Sequence, residues 1–201
     1  MLDPVPAWLG PALPGAREGH ARLAIARLGS ADGLHREGFV LRSAAFRHGE
    51  ELDPSFTAEE EDSVAPPLEW TAPPPGTQEL ALVVEDPDAP QSAQGGDPFC
   101  HWLVWGLAPQ KGQLLEGETP PRVGKNAFGN SEWLLPDPPT GQAPHDYVFQ
   151  LFALDRPLAL MPGATRADLL EAMGGHVLAA AVLTGTYARS EDDDWDEGDG
   201  E

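Results

Sequence analysis

In this chain of 201 residues, a carboxylate, two histidines and a tyrosine are the side chains best suited to hold a small anion. Asp86 stands in Glu85-Asp86-Pro87-Asp88-Ala89-Pro90, directly after the apolar run Leu80–Val84, which places its carboxylate at a strand end. The two prolines stiffen the turn and fix the directions of its acids. His101 lies between Cys100 and Trp102. Neighbours on a strand face opposite sides, so Cys100 and His101 cannot form a local nucleophile–base pair. His101 can pair instead with a carboxylate such as Asp86, which would keep it protonated and oriented, or sit in the core bonded to a backbone carbonyl. His145 and Tyr147, two apart, share a face, and Asp146 points the other way. An imidazole beside a phenol can donate two hydrogen bonds to an oxyanion. Pro138-Pro139-Thr140-Gly141 supplies a rigid apolar wall.

Other chemistries fit less well. Asp86, His101 and His145 offer two histidines and a carboxylate to a metal, but their spacing matches no standard zinc signature. There is no Gly-x-Ser-x-Gly elbow and no phosphate-binding loop. A non-enzymatic protein with no cofactor and no metal is therefore expected. His20 and His48 read as surface residues, Cys100 as a small buried hydrophobe, and Trp70 and Trp102 as core. Trp133 is expected at the pocket rim, and Trp195, isolated among acids, in solvent.

The elements that must position these groups are mostly strands. Phe39–Ser43, Leu80–Val84, Trp102–Leu107, His145–Leu154 and Val177–Tyr187 read as extended, and the apolar run Leu80–Val84 fits a strand buried on both faces. Thr165–Met173 is the one convincing helix, capped by Thr165 with Asp168 three residues on and ended by Gly174-Gly175. A shorter helix is expected over Glu18–Leu28, with Leu23, Ala24 and Leu28 near one face. Trp8, Leu9 and Leu13 are the bulky anchors of the proline-rich lead. Glu116–Pro144 carries little periodicity, as a long functional loop would. With no alternation of strand and helix, the pattern predicts a mainly β, sandwich-like antiparallel architecture with long irregular loops.

Composition limits partners and compartment. Twelve Lys+Arg against 33 Asp+Glu give a net charge of −21, with eight of the acids in Glu191–Glu201. Such a surplus excludes non-specific nucleic-acid binding and disfavours docking on anionic membranes. No apolar run approaches a membrane span, and Met1–Pro14 lacks the basic-then-apolar order of a signal peptide. A single cysteine fits a reducing compartment, so the cytoplasm is expected.

Several segments, taken in order, resemble the phosphatidylethanolamine-binding protein family in its bacterial Raf-kinase-inhibitor-like branch. They are Pro66-Pro67-Leu68-Glu69-Trp70, Asp86-Pro87-Asp88-Ala89-Pro90, His101-Trp102, Gly124-Lys125-Asn126-Ala127-Phe128-Gly129, Pro138-Pro139-Thr140-Gly141, His145-Asp146-Tyr147, and Gly175–Ala179 with Gly185-Thr186-Tyr187. The resemblance implies a Greek-key β-sandwich with a short C-terminal helix, and a pocket for phosphoryl or carboxylate anions, a phospholipid headgroup among them. By position, Asp86, Pro90, His101, Pro138, His145 and Tyr147 would line it. It also implies an alternative role, a regulatory module inhibiting a kinase or hydrolase through a protein partner, with Glu116–Pro144 and the acidic tail as its surfaces. Asp146 stands where the family usually has Arg, Ala127 where it has Asp, and Trp133–Asp137 replaces a Tyr- and Gly-rich stretch. The expected organisation is an N-terminal extension over 1–38, a binding domain over 39–189 and a disordered tail over 190–201. The extension can pack on the sandwich, cover the pocket or mediate a homodimer.

Overall fold

Extended backbone sends alternate side chains to opposite faces, and here both faces of the main sheet are covered. The computed structural model describes residues 4–94 and 96–189; the acidic tail and Trp195 lie outside them. Its eight strands are β1 (Leu41–Arg42), β2 (Leu68–Trp70), β3 (Glu79–Asp86), β4 (Phe99–Leu107), β5 (Gly112–Leu114), β6 (Arg122–Val123), β7 (His145–Leu154) and β8 (Val177–Tyr187). They form a five-stranded sheet in the order β6-β4-β3-β7-β8 and a three-stranded sheet in the order β1-β2-β5. Every pairing between these strands is antiparallel, and two isolated bridges onto β8, Leu34–Ala180 and Glu51–Thr186, are parallel.

Central β3 explains the unbroken apolar run. Leu80, Leu82 and Val84 face an inner core shared with Leu41, Leu68, Trp70 and Leu114 of the small sheet. Ala81 and Val83 face an outer core with Leu9, Leu13, Leu23 and Ile25 of the N-terminal extension and Leu169, Leu170 and Met173 of a helix. That helix (Arg166–Met173) begins as predicted. Thr165 Oγ1 accepts the Asp168 N–H, and Asp168 Oδ2 accepts the Thr165 N–H at 2.8 Å. The extension thus packs on the five-stranded sheet, with Leu9, Leu23 and Ile25 fully buried.

Some local expectations change. Glu18–Leu28 is not one helix. It breaks at Leu23 (φ −54°, ψ 149°) into a 3₁₀ turn over Glu18–Arg22 and a short helix (α1, Ala24–Leu28). The break frees two amides to meet polar side chains buried in the sheet. Ala24 N–H donates to Glu85 Oε2 at 2.8 Å, and Ile25 N–H to Gln150 Oε1 at 2.7 Å. Tertiary partners thus satisfy the orphan donors of a helix start. Phe39–Ser43 shrinks to β1, while β2 and β5 are strands of three residues, too short to leave a period in the sequence. Strand β6 lies inside the irregular Glu116–Pro144 stretch, paired with Val104 and Trp105. Among the described residues, no helix is long and apolar enough to cross a membrane.

Candidate functional site

The site forms where one end of β3, β4 and β7 meet a loop. Asp86 ends β3, and the turn after it folds back on its carboxylate. Oδ1 accepts the N–H groups of Asp88 at 2.7 Å and Ala89 at 3.0 Å. Oδ2 is left for His145, whose Nδ1 lies 2.8 Å away. The other ring nitrogen of His145 faces Gln142 Oε1 at 3.2 Å. Two acceptors on two nitrogens favour a doubly protonated ring. Burial alone would lower the His145 pKa, but the Asp86 carboxylate outweighs it and raises the value above the ordinary one.

His101 is the opposite case. Its Nδ1 lies 2.6 Å from the Leu134 carbonyl oxygen, which only accepts, so Nδ1 carries the proton. Its Nε2 is buried and has no partner. Burial drives the His101 pKa below normal, more strongly than the Leu134 carbonyl and Asp86 raise it. The ring stands edge-on to Tyr147 (5.1 Å, 81°) and to Phe99 (5.2 Å, 65°). The Tyr147 phenol, desolvated and near Asp86, stays protonated, with its pKa raised.

All six residues expected from the sequence, Asp86, Pro90, His101, Pro138, His145 and Tyr147, line one cavity of about 230 Å³. Their bonding corrects the sequence reading or decides between its alternatives in three respects. Asp86 pairs with His145, not His101, because its turn aims Oδ2 across the sheet toward β7. His101 takes the backbone carbonyl instead. Both ring nitrogens of His145 face protein acceptors, so this ring is not an open pair of donors for a ligand. Nor do Asp86, His101 and His145 form a metal-binding group. Among the described residues, the histidine–carboxylate cluster with ligand atoms within 4.8 Å of one another is His20, Asp88 and Asp146. Arg17 already occupies it.

That second cluster lies behind the pocket, where Asp146 points as its alternation requires. Arg17 Nε donates to Asp88 Oδ1 at 2.6 Å, and its Nη2 reaches Asp146 Oδ2 at 3.1 Å. His20 Nε2 is 2.9 Å from the same Asp146 oxygen, and Asp146 N–H donates to Asp88 Oδ2 at 2.9 Å. These bonds tie the end of β3 to the start of β7. His20 was expected at the surface but is 1 % exposed. The cause is the turn Glu18–Arg22, which presses Gly19 so closely on Pro87 that a Cβ there would stand 1.9 Å from the Pro87 carbonyl oxygen. Burial raises the Asp88 carboxyl, but the Arg17 hydrogen bond and the Asp146 N–H outweigh that and lower its pKa.

The segment Trp133–Asp137 is the wall between this cavity and a wider one of about 620 Å³, and Phe128, Leu134, Leu135 and Asp137 line both. Trp133 packs on the inner core and donates from Nε1 to the Phe56 carbonyl at 3.3 Å. Asp137 is ion-paired with Arg189 at 2.6 Å. Buried Asn126 shapes the rim: its Oδ1 accepts the Phe128 and Asn130 N–H groups and leaves Phe128 70 % exposed, edge-on to Phe99. Sequence reasoning missed Arg17, Phe99, Leu134 and Gln142. Their roles arise from contacts between distant segments or from a backbone carbonyl, and spacing signals neither.

Comparison with known proteins identifies the family to which this fold belongs. The family model described as phosphatidylethanolamine-binding protein matches residues 42–188. A UPF0098 protein of Chlamydia trachomatis is 37% identical over 150 residues, covering 74% of this chain and 98% of its own. The crystal structure of a putative phosphatidylethanolamine-binding protein homolog, CT736, from the same organism superposes with a TM-score of 0.69 at 36% identity, over 75% of this chain and 97% of that one. E. coli YbcL, titled a new member of the mammalian PEBP family, gives a TM-score of 0.67 at 25% identity over 75% and 98%. The chain belongs to the phosphatidylethanolamine-binding protein family.

Proposed function

We propose that this chain is a non-enzymatic cytoplasmic binding protein whose pocket accepts a small anion, a phosphoryl or carboxylate group such as a phospholipid headgroup presents. The observation that carries this reading is a cavity of about 230 Å³ holding a histidine biased toward its cation, a second buried histidine and a phenol. Its size suits a headgroup-sized ligand, since drug-sized sites run from about 300 to 1,000 Å³. Pro138 and Pro139 lend the wall stiffness, so little ordering cost attends binding. The net charge of −21 opposes anions at long range, but screening confines that opposition to about 8 Å in physiological salt.

Titration calorimetry with inorganic phosphate, phosphoethanolamine and acetate tests the proposal. Binding by at least one of them, weakened about tenfold or more in His145→Ala or His101→Ala, is expected. If none binds while circular dichroism shows an intact fold, the reading fails.

A further inference from the structure

Five titratable groups line the cavity: Asp86, His101, Asp137, His145 and Tyr147. Both carboxylates already have a basic partner. Asp86 is bonded to His145, and Asp137 to Arg189. The Tyr147 phenol is neutral, with its pKa raised by burial. His101 therefore decides the charge of the cavity. Its Nδ1–H is committed to the Leu134 carbonyl, so the ring cannot turn Nδ1 toward a ligand. Its Nε2 is buried without a partner, and in the neutral ring that atom is a lone pair, an acceptor only. The groups around the ring come from every neighbouring element: Phe99 on its own strand, Trp133 and Leu134 from the loop, Asp86 from β3, and Tyr147 and His145 from β7. Of these, Asp86 favours a proton on His101 and His145 opposes it.

An anion entering such a site meets a lone pair on His101 Nε2 where a donor is needed. Two acceptors facing each other in a desolvated space repel unless a proton lies between them. We infer that the pocket binds its anion together with one proton, which bridges the ligand oxygen and His101 Nε2. Solvent supplies the proton, and it resides on His101 or on the ligand oxygen according to their relative basicity. The ligand class is thereby narrowed to anions that can share a proton, carboxylates and phosphomonoesters. Permanently deprotonated anions of weak basicity, such as sulfate and perchlorate, are disfavoured. This rests on the pocket being an anion site.

Acetate is the suitable probe because it does not itself titrate near neutral pH. Calorimetry of the full chain at about pH 7, in two buffers of different ionisation enthalpy, counts the protons taken up. The expected result is about one proton per acetate, with an affinity falling about tenfold per pH unit above neutrality. His101→Gln is expected to bind at least tenfold more weakly and to take up none, while His145→Gln keeps the uptake. Nitrogen-15 histidine NMR gives an independent reading: the His101 Nε2 signal moves from the unprotonated toward the protonated position as acetate is added. Acetate binding with no proton uptake and an unchanged Nε2 signal overturns the inference and leaves the anion pocket standing. Sulfate binding as tightly as acetate also overturns it. Failure of both acetate and phosphate to bind overturns the pocket reading and this inference together.

Discussion

Replacing Asp86 with asparagine removes one charge from the site while keeping its shape. The asparagine Oδ1 can still accept the Asp88 and Ala89 N–H groups, so the turn survives. Its Nδ2, a donor, then faces His145 Nδ1, which must give up its proton. In the native protein the folded pKa of His145 lies above its unfolded value. The stabilisation from the pair is thus fully present below about pH 6.5 and is lost as pH rises through the folded value. The two side chains are only 4% and 5% exposed, so solvent screening removes little of the interaction. A charge-assisted hydrogen bond of this kind contributes about 1.5–3 kcal/mol. Near pH 5.5 the variant must also hold the imidazole neutral against a free pKa near 6.5, a further cost of about 1.4 kcal/mol. The expected loss is therefore about 3–4 kcal/mol at pH 5.5 and becomes smaller at pH 8.5, above the unfolded value. Urea unfolding at the two pH values measures it. An equal loss at both, or a smaller one at the acidic value, would refute the assignment of His145 as the charged partner.

Three further outcomes follow from the geometry. Histidine NMR is expected to show His145 titrating above and His101 below the ordinary histidine value. The unfolded chain then binds more protons at His101 as pH falls through about 6.5, so this residue lowers stability in acid, opposite in sign to His145. Gly19→Ala drives a methyl into the Pro87 carbonyl and should cost about 1–3 kcal/mol, with limited proteolysis cutting within residues 4–28 faster than in the parent. Unchanged cleavage would mean the extension does not bear on the pocket turn. Glu85→Gln takes the buried carboxylate from Arg166 and leaves it only Asp97, which is largely exposed, so a loss of about 3–5 kcal/mol in thermal or urea unfolding is expected. A loss under about 1 kcal/mol would show that Gln150 and the Ala24 amide satisfy the site without the charge.

The resemblance to the family supplied the six lining residues by position, while the sequence pattern by itself determined the mainly β class and the long strands. Their reasons are local: the two apolar faces of His145–Leu154, the small-residue run Val177–Tyr187, the capping box of the helix Arg166–Met173, and the stiff turn after Asp86. His145 and Tyr147 were legible as one face and Asp146 as the other because alternation depends on nothing beyond the strand. Only the tertiary structure decided which nitrogen meets which oxygen. Asp86 could have reached either histidine, and the backbone bonds of its turn, with the β3–β7 register, chose His145. His101 was claimed by a carbonyl of Leu134, which every residue type carries and no sequence pattern marks. Arg17 and His20 meet Asp146 across 129 and 126 positions, through an extension held on the sheet by Leu9, Leu23 and Ile25. Buried pairings of that kind depend on which surfaces come together once the apolar faces are covered, and that is a property of the whole packed chain.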